Sequence, residues 1–426
     1  MDHCVLEAEL DNLGNAQSQE EQSKKKPSIY KIPPVIISDH NKKAYQPQSV
    51  SFGPYHHGEP RLKPMEDHKQ RAFYHFLKRS LKPQVEIFDS MVEVAQELKD
   101  SYGSLEPKWQ DDTKKFVTLM IVDECFILEI LRVANQPFES DYSNDDPIFG
   151  YHGMLYAMPF IRRDMLLLEN QLPMLVLVKL KCFEENVEYN VDSTNMLILN
   201  FFGFRTRDFE RGKSLHILDL YRQRLLVKRS KPTERNFKRI HNQIVPLNLS
   251  ATMLIEGGIR FRRSEGNSPM DISFDGGILR LPKFVVNDTT ESTFLNLMAF
   301  ERCNIGVGHA ITSFICFMGN IIYHDRDISL LSSERIIVNF VGTDKVAANL
   351  FHTMSKDLVI DPSSHLNLVT VRMASYWGKP WPKWRAELTR TYFRNPWATV
   401  SVIAAVILFA LTILQTGFTV YDLMLK

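Results

Sequence analysis

From Pro396 to Tyr421 the chain runs 26 residues without a single Asp, Glu, Lys, Arg or His. The centre reads Val402-Ile403-Ala404-Ala405-Val406-Ile407-Leu408-Phe409-Ala410-Leu411. At ~1.5 Å per helical residue this stretch can cross a ~30 Å hydrocarbon layer with some tilt. The competing reading is a buried helix of a soluble core, but such helices rarely stay uncharged beyond ~18 residues. Trp397 and Tyr421 stand where an interfacial aromatic belt would stand. Gln415 and Thr416 are tolerable single polar residues within the span.

The flanks set an expected orientation. Lys379, Lys383, Arg385, Arg390 and Arg394 precede the span, and Lys426 alone follows it. Basic residues stay on the cytoplasmic side, so the preceding body is expected in the cytosol. Residues 379–395 then form a basic juxtamembrane segment facing anionic lipid, 396–421 the span, and 422–426 a short tail. The N-terminal residues Met1-Asp2-His3-Cys4-Val5-Leu6 have neither a basic start nor a long apolar run, unlike a secretory signal. The expected placement is a single-pass, tail-anchored protein of the plasma membrane or endoplasmic reticulum.

The remainder has to fold in water. Lys and Arg total 51 against 50 Asp and Glu, a net charge of +1. That excludes a whole-chain basic field for nucleic acid. Five cysteines (Cys4, Cys125, Cys182, Cys303, Cys316) at wide spacings argue against a disulfide framework and a zinc ribbon. The sequons at Asn248 and Asn287 would matter only in an oxidising lumen.

Periodicity predicts a mainly α-helical body over 29–378, after a polar, disordered tail over 1–28. Helices are expected from Pro64, over Val85–Leu98, Thr113–Arg132, Leu215–Val227, Leu247–Glu256, Thr290–Cys303, Ala310–Ile322 and Asp344–Asp357. Pro173 should split the apolar run Ile161–Leu180. Ile259–Arg262, Met270–Phe274 and Ile278–Val286 read as a small antiparallel sheet, which leaves α+β open. The basic segment 228–241, with six Lys/Arg and one acid, is a surface loop or an interior boundary.

Known catalytic signatures are missing: there is no phosphate-cradling glycine loop, no H-E-x-x-H and no nucleophile elbow. His56-His57, near Glu66 and His68, could ligate a metal, although adjacent loop histidines rarely aim at one ion. Asp123-Glu124-Cys125 places acids beside a thiol in an apolar helix. Arg163, Asp164, Glu169, Asn170 and Gln171 interrupt an apolar run, and Glu291 and Glu301 interrupt another. Polar groups so placed must be paired. They form either a buried hydrogen-bond network or an active site built from Arg163, Asp164, Glu169, Asn170, Glu291 and Glu301.

Several of these stretches resemble one plant family, that of domain of unknown function 247. The resemblance is carried by Ile29–Pro33, Ser51–Gly58, Met65-Glu66-Asp67-His68-Lys69, Asp164–Pro173, the span from Thr290-Glu291 to Phe300-Glu301, and Thr391–Trp397. Gly53-Pro54-Tyr55-His56-His57-Gly58 and Leu166-Leu167-Leu168-Glu169-Asn170-Gln171-Leu172-Pro173 are its most specific blocks. Phe52, Glu124 and Arg302 depart from the usual Ile, Gly and Gln. The resemblance implies a plant protein with a C-terminal membrane segment and no established enzymatic activity. Some grass members are associated with self-incompatibility, which makes protein recognition a family theme.

The leading expectation is a membrane-anchored, non-enzymatic recognition or signalling protein without a cofactor or metal. Its expected partners are membrane lipid through Pro396–Tyr421 and another protein, with no nucleic acid. An undiscovered enzyme and an anionic-lipid-binding membrane organiser working through 228–241 and 379–395 are the alternatives.

Overall fold

The computed structural model describes residues 26–80, 82–135, 141–185, 190–204, 212–227, 249–377 and 396–424. The basic segment 228–241, the juxtamembrane Lys379, Lys383, Arg385, Arg390 and Arg394, and the sequon Asn248 lie outside them, as does the tail before Lys26. Contacts divide the chain into two units, one ending at Val227 but joined by Thr289–Ile311, the other holding 249–288 and the residues from Thr312 onward.

The first unit is helical and is built around the helix Thr113–Asn135. Its apolar residues cover every side, including Phe116, Val117, Met120, Phe126, Ile127, Ile130 and Leu131, all buried. A helix apolar all round has to be enclosed by neighbours. The helices Pro64–Arg79, Gln84–Glu93, Met174–Glu185 and Val191–Phe201 pack against it. Pro64 opens its helix at the first turn, where the missing N–H is harmless, and Glu66 and Asp67 suit the helix dipole there. The expected helix Val85–Leu98 is two, Gln84–Glu93 and Ala95–Asp100, broken at Val94 (φ −102°, ψ 6°). The apolar stripe Ile87, Met91, Ala95, Leu98 runs through the break, so periodicity alone could not reveal it.

Pro173 does divide its run. Met158–Asp164 is one helix, Leu168–Asn170 a single 3-10 turn, and Met174–Glu185 the next helix. Gln171 between them is extended (φ −103°, ψ 154°). Residues 29–58 wrap the unit with little regular structure beyond the 3-10 turn Pro34–Ile36 and the short helix Lys42–Tyr45.

The second unit holds the strands. β1 (Arg260–Arg263), β2 (Ser273–Asp275) and β3 (Ile278–Leu281) form a sheet in the order β1-β3-β2. β2 and β3 are antiparallel across Gly276-Gly277, both at positive φ (56° and 79°). Two glycines with φ > 0 are what a tight two-residue hairpin turn requires. β1 runs parallel to β3, so the sheet is mixed where the sequence suggested an antiparallel one. The intervening 3-10 turn Pro269–Asp271, closed by a Ser268/Asp271 capping box, lets the chain return in the same direction. Phe261, Leu279 and Phe274 align across the three strands and are buried.

Pro282 has no N–H to offer a ladder, and the expected strand Ile278–Val286 divides there. β4 (Phe284–Val286) pairs in parallel with β5 (Ile337–Asn339) as a separate two-stranded sheet. Phe284 packs on Phe314 and Phe351, with ring centroids 5.6 and 5.4 Å away.

The C-terminal helix Pro396–Met424 carries Ile403–Tyr421, which is long and apolar enough to cross a membrane and has none of its surface buried by protein. Four of its hydroxyls are satisfied inside the helix: Ser401 donates to the Trp397 carbonyl, Thr412 to Leu408, Thr416 to Thr412 and Thr419 to Gln415, at 2.8–2.9 Å. Such i−4 bonds let polar side chains tolerate an apolar medium.

Candidate functional site: a polar clamp around residues 163–171

The irregular segment 29–58 cannot satisfy its backbone by helix or sheet bonds, so side chains must do so. The residues that interrupt the apolar run after Ile161 supply them.

Asp164, fully buried, accepts backbone N–H groups from Gln48 (2.9 Å), Ser49 (2.6 Å) and Val50 (3.1 Å). Burial raises its pKa, against the opposing pull of those amides and of Arg163. Arg163 donates to Asp164 Oδ1 (2.8 Å) and to the carbonyls of Gln46 (3.1 Å) and Lys43 (2.7 Å). Asn170 accepts from Phe52 N (2.7 Å) and donates to the carbonyls of Val50 (3.1 Å) and Asp164 (3.0 Å). Gln171 donates to the carbonyls of Met165 and Leu167 (both 2.8 Å) and accepts from Leu218 N (3.0 Å).

Glu169 Oε1 accepts from Ile32 N at 2.5 Å, and its other oxygen lies 3.2 Å from His56 Nε2. His56 Nδ1 is 2.6 Å from Glu59. Burial depresses the imidazolium, but Glu169 and Glu59 on its two nitrogens outweigh it, and the pKa of His56 is raised. His57 points elsewhere, its ring edge-on to Trp109 at 5.4 Å. Among the described residues no group of three or more His, Cys, Asp or Glu is placed to hold a metal ion.

A second group completes the clamp from the central helix. Asp123 Oδ2 accepts from Gly53 N (2.8 Å), and Oδ1 lies 2.8 Å from Lys69 Nζ. Lys69 also meets Glu66 at 2.8 Å. Gly53 adopts φ +70°, and a Cβ there would lie 2.9 Å from Tyr102 Oη and 3.1 Å from the Gln171 carbonyl. Only glycine fits both the backbone and the space. Neighbouring Glu124 and Cys125 are buried, and burial pushes the pKa of each well up, which favours the neutral carboxyl and thiol. A thiol held neutral in an apolar core is inert as a nucleophile.

The six residues weighed as an active site do not converge. Arg163, Asp164, Glu169 and Asn170 share the clamp. Glu291, half-buried with its pKa raised by burial, and Glu301 lie at opposite ends of the helix Thr290–Cys303. Ten residues of helix separate them by about 15 Å, too far for one reacting centre. Glu301, fully buried, accepts from Arg222 Nε (2.9 Å) and from Ile311 N (3.0 Å). From the same helix Ser292 and Asn296 bond the Ala44 carbonyl, and Asn296 also accepts from Leu168 N.

Sequence reasoning missed Lys69, His216 and Asp327. Lys69 lies with Met65, Ala72 and Phe76 on one helical stripe, a position where a lysine must have a buried partner. His216 caps its helix by accepting from Asp219 N (3.2 Å) and is wholly buried, which drives its pKa down to about 4. In the second unit Asp327 accepts from Thr252 N (2.8 Å), Thr252 Oγ1 (2.7 Å), Tyr323 N and His324 N. Local sequence carries no signal for partners 75 residues away.

Residues 29–411 match the family model DUF247, described as a plant protein of unknown function. A UPF0481 protein of Arabidopsis thaliana is 30% identical over 418 residues, covering 91% of this chain and 85% of the relative. A second Arabidopsis thaliana UPF0481 protein is 21% identical, covering 94% of this chain and 91% of its own. No solved structure matches.

Proposed function

The chain belongs to the DUF247 family of plant proteins, and from that membership we propose that it is a membrane-tethered, non-enzymatic component that recognises another protein through its helical body. The span Ile403–Tyr421 would be the tether, with the body on the cytosolic side. The polar residues conspicuous in the sequence are spent on backbone amides and carbonyls, which supports a structural use for them.

The observation that carries the recognition reading is an exposed aromatic surface. On the helix Tyr151–Tyr156 and the following helix from Met158, Tyr151, Leu155, Tyr156 and Phe160 are 73%, 51%, 65% and 52% exposed. Residues 151–161 contain no Asp, Glu, Lys or Arg. Clustered Tyr and Phe are the side chains that anchor protein interfaces.

The test compares the full chain with its Tyr156→Ala/Phe160→Ala variant after cross-linking in membranes and affinity capture. The expected result is a specific protein captured by the wild type and lost from the variant. An identical set of captured proteins overturns the reading. Protease protection on sealed membranes reports the orientation: a body digested from the cytosolic side is expected, and a shielded one overturns it.

A further inference from the structure

The outer face of the three-stranded sheet carries a charge pattern that the fold does not explain. Side chains alternate across strands. One face is the buried row Phe261, Leu279, Phe274. On the other face the register makes two rows. Arg260, Ile278 and Asp275 form the first, so an acid and a base flank an isoleucine. Arg262, Arg280 and Ser273 form the second, with two arginines on adjacent strands and no acid. Arg260, Arg262, Ser273 and Asp275 are exposed, and Arg280 is half-buried.

Neighbouring strands are ~4.8 Å apart, and like charges directly opposite one another weaken a sheet. Among the described residues no carboxylate pairs with Arg260, Arg262 or Arg280. Guanidinium groups present planar forks of donors that match phosphate oxygens two at a time. Two such forks beside the Ser273 hydroxyl make a cluster of donors for phosphate oxygens.

We propose that this sheet face binds the phosphate of an anionic phospholipid headgroup. The assignment rests on the membrane reading above. A chain tethered to a bilayer meets headgroup phosphates at high effective concentration. Ile278, between Arg260 and Asp275 in the neighbouring row, offers apolar contact.

The test uses the full chain in neutral detergent micelles, with short-chain phosphatidic acid, short-chain phosphatidylcholine and inorganic phosphate as probes and the thermal midpoint as readout. Phosphatidic acid is expected to raise the wild-type midpoint by about 2–5 °C near saturation. Phosphatidylcholine should not, and the rise should shrink with added salt. Arg262→Gln/Arg280→Gln should abolish the rise while melting no lower than wild type without lipid, since it removes the facing charges. No rise, or a rise kept by the double variant, overturns the proposal. An equal rise with inorganic phosphate at the same concentration overturns the lipid assignment in favour of a free-anion site. Alkaline carbonate extraction of the full chain from membranes tests the tether separately: release would overturn the membrane reading and leave the micelle result readable.

Discussion

Lys69 Nζ lies 2.8 Å from Asp123 Oδ1, and the two side chains are 0% and 1% exposed. This buried pair joins the helix Pro64–Arg79 to the central helix Thr113–Asn135. The other Asp123 oxygen holds Gly53 N, so one carboxylate ties two helices to the irregular N-terminal segment. Removing one partner of such a pair strands a charge where water cannot reach it. Lys69→Met should therefore lower stability by about 3–5 kcal/mol in urea unfolding of the solubilised full chain. Lys69→Met/Asp123→Asn should recover part of that loss, because asparagine is neutral and still accepts from Gly53.

Asp164 accepts from three backbone amides. Asp164→Asn keeps the shape but turns one oxygen into a donor that faces donors. The expected loss is about 1–3 kcal/mol, the range for leaving a buried donor unmet. Unchanged urea midpoints would mean that segment 46–50 holds itself without Asp164.

Two glycines in the same loop should respond differently to alanine. Gly53 and Gly58 both have positive φ, but only Gly53 is crowded, while nothing lies within 4 Å of a Cβ at Gly58. Gly58→Ala should cost about 1 kcal/mol from backbone strain alone, and Gly53→Ala more, about 2–4 kcal/mol. Comparable midpoints for the two variants would contradict the close packing of Tyr102 and Gln171 on Gly53.

His56 gives an alkaline limb to stability. Its folded pKa is raised above the ordinary 6.5 by Glu169 and Glu59, despite burial. Between the ordinary and the raised value the native state holds a proton that the unfolded chain has released. The contribution is thus complete below about 6.5 and is lost as pH rises through the folded value. Thermal midpoints of the wild type should fall over that range more steeply than those of His56→Gln.

His216 acts in the opposite direction. Burial lowers its pKa from 6.5 to about 4. Between those values the unfolded chain binds a proton that the native state refuses, so stability is lost as pH falls from about 6.5 toward 4. The accumulated loss is roughly 3 kcal/mol by linkage. His216→Asn keeps a capping acceptor for Asp219 N and should flatten this acid limb in pH-dependent unfolding.

Much of the secondary structure was legible because it is local. Thr290–Cys303 matches its expected bounds, and Thr113–Asn135 extends its own by three residues. The helices Val191–Phe201, Asp325–Ser333 and His365–Trp377 were not anticipated. Asp325–Ser333 is only nine residues long, shorter than the window of about 11 residues over which a helical period is read. The clamp was half legible. Arg163, Asp164, Glu169, Asn170 and Gln171 announced themselves as polar residues in an apolar run, whereas their backbone partners at 32, 43, 46–52 and 218 are groups that no side-chain pattern marks.

By itself the sequence determined the uncharged C-terminal helix, the helical class, the Gly-Gly hairpin and the family. Each depends on a run of composition, a short-range period or residue identity, all of which are properties of neighbours along the chain. Tertiary structure alone decided that Glu301 belongs to Arg222. It also set β1 parallel to β3, which brings Arg262 opposite Arg280 with no acid between them. Those relations depend on strand register and on contacts between distant residues, and burial gives them their energy by removing the water that would otherwise satisfy every polar group alone.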